Sequence, residues 1–325
     1  MNYPLPYPQT ILFSQHQLLM EIEQLVEYII ATYQPILLIP HSTDQHIGFH
    51  EPFYLQVLEE LLRLLSVYTP VHDYYGPIRI FWQACRDQGF LNICTEASQK
   101  RYPSKKMTIE RVSVLVGLIF KYAKSPQFTR QVSDRLYEIK QKEEQLRAYA
   151  TALHAHYARL LVVRVDFCYH PATQYLVTID DVYRHLDTFM AMKSRNDIFE
   201  HEVGYAWVVE EGVTKGYHIH SAFYFLGSKH QSDWFMAQQI GAMWNSITAG
   251  LGYFFNCNHP DYKAIYEQQG TLGIGMIHRN DPIARENAIR VLTYLADPEK
   301  EGQYLRMKPE GRRMFRMGHP PKVKP

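Results

Sequence analysis

Cysteine is scarce in this sequence: Cys85, Cys94, Cys168 and Cys257 lie scattered through 325 residues with no CxxC pair. That spacing offers neither a disulfide framework nor a thiolate zinc site. Long apolar runs are missing as well. The stretch EYIIATYQPILLIP is interrupted by polar residues and two prolines, too broken to cross a bilayer. The opening MNYPLPYPQT lacks the basic and apolar regions of a signal peptide, so the expectation is a cytoplasmic protein with no membrane partner. Neither sign of charge prevails, since 34 Lys and Arg face 33 Asp and Glu, and bulk electrostatics selects no class of partner. The sequence contains no internal repeat and no low-complexity segment.

What is present is apolar material for a core, 46% hydrophobic and 14% aromatic, in a length that accommodates two domains. Positions 1–150 read as a helical domain. HQLLMEIEQLVEYIIATY, EPFYLQVLEELLRLLSVY and MTIERVSVLVGLIFKYA place apolar residues at three- and four-residue spacing. Breakers such as HSTDQHIGFHEP and TPVHDYYGP separate them. TRQVSDRLYEIKQKEEQLRAYATALHAHYA predicts one long charged helix, on which His154 and His156 diverge and read as surface residues. This half carries no catalytic constellation.

Positions 151–325 change character. LLVVRVDFCY predicts a strand, and TIDDVYRHLDTFMAMKSR a helix opened by Thr178 with Asp181 three residues on. VGYAWVVE and YHIHSAFYFLG predict two strands around the turn EGVTKG. QSDWFMAQQIGAMWNSITAG predicts a helix with Ser232 as its N-cap, and GYFFNCN and LGIGMIHRN short strands. DPIARENAIRVLTYLAD predicts the last helix, with Pro282 near its first turn and Pro298 as its stop. The chain reads as α+β, and the β-α-β-β-α-β order of its second half is that of a ferredoxin-like, split βαβ antiparallel sheet.

The run GYHIHSAFYFLG poses the chemical question, because alternate residues of a strand share a face and two imidazoles then stand side by side. If the hairpin turns at Thr214, Glu210 lies opposite His218 and Val208 opposite His220, so Glu210, His218 and His220 form one set. A slip of one residue would bring in Glu211 instead. Tyr205, Trp207, Val209, Ile219, Phe223 and Phe225 make the opposite, apolar face, which is the expected core. A His-His-Glu set with open positions suits a divalent ion, magnesium or manganese, acting as a Lewis acid on a phosphate oxygen, with zinc second. Arg164 and Asp166 lie on the non-core face of the first strand, either beside the metal or as a structural ion pair. In the last helix Ala284, Ala288, Val291 and Leu295 face the core, while Asn287, Arg290 and Tyr294 form a polar flank. A tyrosine beside such a metal is a competent nucleophile toward phosphate. From Gly302 to Pro325 seven basic residues meet Glu310 alone, a tail that either binds phosphate or merely solubilises.

An HIH strand after an acidic residue, followed by a tyrosine in a later helix, resembles the HUH endonucleases, which include rolling-circle replication initiators and relaxases. GYAWVVEEGVTKGYHIHSAFYFLG, VLTYLADPEKEGQYLRMKPEGRRMF and GHPPK are similar to replication-initiator-like proteins of inoviruses and integrated prophage elements, a likeness over roughly residues 155–325. The resemblance implies an HUH nuclease domain in which His218, His220 and Glu210 bind the metal. Tyr294 would attack the scissile phosphate and keep a 5′-phosphotyrosine link. Single-stranded and origin DNA are the implied partners, with a host helicase or polymerase as a further candidate. Arg290, Lys300, Arg306, Lys308, Arg312 and Arg313 are the expected DNA contacts, gripping phosphates without sequence preference. Tyr304, past Pro298, is the alternative nucleophile. One position departs from the pattern: single-tyrosine initiators of this kind carry Tyr-x-x-Lys, whereas Asp297 stands at the corresponding place and Lys300 is the available substitute. A chain that had lost the chemistry there would be a DNA-binding regulator on the same fold. A metal-dependent phosphoesterase acting on a small molecule would need neither Tyr294 nor the basic tail.

Overall fold

The computed structural model describes residues 14–33, 51–91, 109–296 and 303–321. Helices α1 (Gln15–Thr32) and α2 (Glu51–Leu65) lead to a short strand β1 (His72–Tyr74), followed by α3 (Gly76–Asp87), α4 (Ile109–Ala123) and the long α5 (Pro126–His156). Then come β2 (Arg159–Tyr169), α6 (Ile179–Lys193), β3 (Glu202–Gly212), β4 (Gly216–Leu226), α7 (Asp233–Ile247), β5 (Gly252–Asn256), α8 (Pro260–Gln268), β6 (Gly275–His278) and α9 (Pro282–Thr293). Strands β7 (Met307–Pro309) and β8 (Phe315–Met317) close the described chain. No helix among the described residues is long and apolar enough to cross a membrane.

Local chemistry explains the helix starts. Ser14 and Thr178 accept from the third residue of α1 and α6 and receive Gln17 and Asp181 in return, two complete capping boxes. Ser125, Ser232 and Asp281 cap α5, α7 and α9, and Pro126 and Pro282 occupy first-turn positions where a missing N–H costs nothing.

The chain is α+β with an antiparallel sheet. Its strand order is β5-β2-β4-β3-β8, and β6 pairs with β2 beyond the end of β5. Between those two short neighbours, the side-chain amide of Asn258 accepts from Arg164 N at 3.3 Å and donates to Arg164 O at 2.7 Å. On one face, Val163, Val165, Phe167, Trp207, Val209, Ile219, Phe223 and Phe225 pack beneath α6 and α7. Trp244 stacks on Phe167 with centroids 4.9 Å apart, and its indole N–H donates to Cys168 O. The same apolar cluster continues through Leu19, Ile22, Phe81 and Leu115, so described residues on either side of position 150 share a core.

The other face is apolar at one end only. Leu146, Tyr149 and Leu153 of α5 and Ala288 and Leu292 of α9 lie over Val162, Ala206, Ala222 and Tyr224. Further along the strands the side chains turn polar: Arg164 and Asp166 on β2, His220 and His218 on β4 and, past Val208, Glu210 on β3. That polar end, itself buried, is where the candidate site lies.

Several expectations change. TPVHDYYGP does not merely break the chain, since it contains β1 and leads into α3; α8 was not anticipated either. Helix α9 stops at Thr293, and Tyr294 to Ala296 make a single 3₁₀ turn rather than continuing to Pro298. His154 is buried against Tyr224 rather than on the surface, and burial pushes its imidazole down to about 4. Asn287 is buried too, donating to Gly270 O and Leu272 O, so it anchors a loop instead of joining a polar flank. The basic tail is woven into the fold, with β7 paired to β1 and β8 to the edge of β3.

The loop that Asn287 anchors contains Gly273, where a Cβ would stand 2.3 Å from the Asn287 carbonyl oxygen. Either α9 or the loop must shift to admit the alanine. Gly273→Ala is expected to lower unfolding free energy by about 1–3 kcal/mol, measured by urea denaturation; an unchanged midpoint would mean that the loop yields instead.

Candidate metal centre

The β3–β4 hairpin sets the site. Its register pairs Glu210 with His218 and Val208 with His220, and Gly216, at φ 60°, supplies the left-handed residue that lets β4 leave the turn. Glu210, His218 and His220 therefore project from one face, all buried, with one potential ligand atom from each lying within 4.8 Å of the others. His220 Nε2 is 3.2 Å and His218 Nε2 3.5 Å from Glu210 Oε2.

Partners on the far side of each ring fix the tautomers. His218 Nδ1 lies 3.0 Å from Gly216 O, and a carbonyl can only accept, so the proton sits on Nδ1. His218 Nε2 is left buried without a hydrogen-bond partner. His220 Nδ1 stands 2.8 Å from Asp166 Oδ1, an ion-pair contact rather than a well-aligned hydrogen bond. That carboxylate favours a proton on Nδ1 and turns Nε2 toward Glu210. Two imidazole nitrogens and a carboxylate, converging in a buried pocket with one nitrogen unsatisfied, fit a divalent metal ion. The donor types suit several such ions.

Charge around the set is balanced locally. Arg164 Nε lies 3.5 Å from Asp166 Oδ1. Burial by itself would raise the Asp166 carboxyl, but Arg164 and His220 hold it well below the usual carboxylate range. For His220, burial by itself would lower the imidazole, and the Asp166 and Glu210 carboxylates outweigh it and raise it. Both sequence readings of Arg164 and Asp166 thus hold together: they are an ion pair, and they stand beside the triad.

Tyr294 sits at the C-terminal end of α9, 47% exposed, its ring 5.6 Å from the Arg164 guanidinium carbon. A chain of contacts through Arg164 and Asp166 links it to His220. Arg290, one turn earlier, is exposed and pairs with Glu286. Glu211 faces away from the triad, where its carboxylate accepts from Arg306 N at 3.0 Å; burial lifts it to about 7 against the pull of Arg306. Arg306 is the clearest departure from expectation: it is 2% exposed, its guanidinium held by Glu23 and Glu211. It ties the tail to α1 and cannot reach a phosphate. Lys308 pairs with Asp73, and Arg312 pairs with Asp187 while lying over Tyr183. Arg313 is exposed. Tyr304 is half-buried, with Arg135 3.8 Å and Arg306 4.6 Å from its ring centroid. Lys300 and Asp297 lie outside the described residues.

Sequence reasoning missed Phe255. It pairs with Asp166 across the sheet, in the row that continues to His220, and is 42% exposed with Tyr262 edge-on at 5.0 Å. The alternation in GYFFN separates Phe254 from Phe255, but the face each takes depends on an edge pairing that the sequence does not carry.

Asp166 orients His220, a candidate ligand, so Asp166→Asn is expected to weaken Mn²⁺ binding at this set by about 10–100-fold, measured by calorimetry. Because the carboxylates favour a proton on His220, metal uptake must displace it. Affinity should therefore rise with pH through and above the ordinary imidazole range; a pH-independent affinity would contradict this site. Comparisons of the chain with protein-family models, with curated proteins and with solved structures find no match, and the functional reading rests on this geometry.

Proposed function

We propose that this chain nicks and rejoins single-stranded DNA through a 5′-phosphotyrosine link, as the initiator of rolling-circle replication of a phage, plasmid or integrated element. The observation that carries the reading is the convergence of Glu210, His218 and His220 at the polar end of the sheet, with Tyr294 above the Arg164–Asp166 pair that contacts His220. The strand order supports it: β5-β2-β4-β3 sets the fourth, first, third and second strands of this half side by side, the arrangement of a ferredoxin-like split βαβ sheet. The two histidines stand on a central strand of that sheet.

A divalent ion, magnesium or manganese before zinc, bound by the three side chains supplies Lewis acidity to an oxygen of the scissile phosphate. The remaining work falls to the chain. Tyr294, accessible at the end of α9, attacks the phosphorus; its Oη–P bond forms as the bond from phosphorus to the 3′-oxygen breaks. The phenolic proton is lost, and the departing 3′-oxygen takes up a proton to become a hydroxyl that can prime synthesis. Attack of a 3′-hydroxyl on the same phosphotyrosine restores the strand. Arg290, exposed one turn before Tyr294, and Arg313 are available to phosphates of the bound strand. The alternative, a DNA-binding regulator without chemistry, draws on Asp297 standing where similar initiators carry lysine.

Purified protein is mixed with Mn²⁺ and single-stranded oligonucleotides from the element's origin, and intact mass reports any attached fragment. Tyr294→Phe should lower adduct yield by roughly a thousandfold or more, with an unchanged melting temperature because the ring is exposed; EDTA should abolish the adduct. An adduct that survives Tyr294→Phe and disappears with Tyr304→Phe would move the nucleophile. Tight binding with no adduct on any origin strand would leave the regulator.

A further inference from the structure

Beside the triad lies a cavity of about 540 Å³, bounded by α5, the edge of β3, the turn after α9 and the residues leading into β7. Glu210 belongs to its wall, as do Leu295, Tyr304, and Arg135 and Lys142 of α5. The volume is that of a site for a small organic ligand, and the wall is mixed. Val208, Ile139 and Leu295 give an apolar part.

The two cations are the unusual feature. Among the described residues, neither Arg135 nor Lys142 makes an ion pair, yet burial lowers the pKa of both. Arg135 lies over the Tyr304 ring. For Arg135 the Glu23 carboxylate, itself held by Arg306, opposes the shift first and Glu138 after it; Glu138, exposed at the rim of the same helix, opposes that of Lys142, and neither acid forms an ion pair with these cations. Asp134, also exposed at the rim, faces Arg130. A cation partly withdrawn from water with no carboxylate in direct contact lowers the stability of a fold. Such groups persist where they meet an anion that comes and goes.

We propose that this cavity receives one nucleotide of the bound single strand, the neighbour of the phosphate at Glu210, His218 and His220. Arg135 and Lys142 take its phosphate, and the apolar wall takes its base. The assignment rests on the single-strand reading above and extends it, because it gives the helical half of the chain a part in the site: α5 supplies the cationic wall that the sheet lacks. Glu210, common to the triad and the cavity, places the two next to each other.

The test uses the full chain, fluorescence anisotropy of a labelled mixed-sequence oligodeoxynucleotide, and thermal melting, with Lys142→Met, Arg135→Gln and His218→Ala compared in Mn²⁺ and in EDTA. Each cavity variant should weaken oligonucleotide binding by about five- to tenfold and reduce the salt slope by about one. Its melting temperature should hold or rise, since a partly desolvated cation with no ion-pair partner is removed. Binding by the cavity variants should fall in EDTA as well as in Mn²⁺, whereas His218→Ala should matter only in Mn²⁺. A lowered melting temperature with unchanged affinity would make the cations structural and overturn the proposal. Deoxyadenosine monophosphate that binds the wild type as tightly as the oligonucleotide, and loses that affinity in Lys142→Met, would make the occupant a free nucleotide and overturn the strand assignment. Full oligonucleotide affinity and adduct formation in both cavity variants would reject the cavity and spare the nuclease reading. A wild type with no affinity for single strands would reject both.

Discussion

Strand β4 is hydrogen-bonded on both sides, to β2 and to β3, and everything at the site depends on those two registers. A shift of one residue in either would turn His218 and His220 toward Phe167, Phe189 and Trp244, and bring Ile219 and Phe223 to the polar end. The aromatic face makes such a shift costly, because Ile219, Phe223 and Phe225 are fully buried among α6, α7 and their neighbours. Packing on one side of the sheet thus fixes chemistry on the other. The imidazoles need no rigidity of their own; their orientation follows from the core behind them, from the Gly216 carbonyl and from Asp166.

Adjacent glutamates have opposite fates for the same reason. Glu210 turns to the triad, while Glu211 turns to the other face and meets Arg306, which also holds Glu23 of α1. Burial raises the Glu23 carboxyl, and Arg306 opposes it. Two acids around one guanidinium form a buried cluster whose members depend on each other; loss of Arg306 would strand both carboxyls away from water. This cluster pins the segment after α9, and with it the Tyr304 side of the cavity, to the first helix. The helical half and the sheet half are therefore joined by charge as well as by apolar contact.

What was legible in the sequence was what is local. The hairpin parity that groups Glu210, His218 and His220 needs only the turn at EGVTKG, and the caps Ser232 and Thr178 announce themselves within four residues of the helices they start. The apolar stripe Trp207, Val209, Ile219, Phe223 and Phe225 could be read as core from alternation. What could not be read was set by partners far along the chain. Arg306 reads as one more basic tail residue until Glu23, 283 residues away, is seen to hold it. His154 and Asn287 read as polar surface until Tyr224 and the Gly270 loop cover them. The tail's two short strands carry no alternation long enough to detect, and they form because β1 and β3 offer open edges.

The amide of Asn258, set between β5 and β6, has a consequence beyond the local bonds it makes. An exposed sheet edge invites pairing with another molecule. Here the outer side of β2 is divided among two short strands and one side chain, and the far edge of β3 is closed in part by β8. Long runs of unsatisfied backbone are thus broken up at both margins. The sheet that carries the triad thus leaves little edge on which copies of the chain could assemble into fibres.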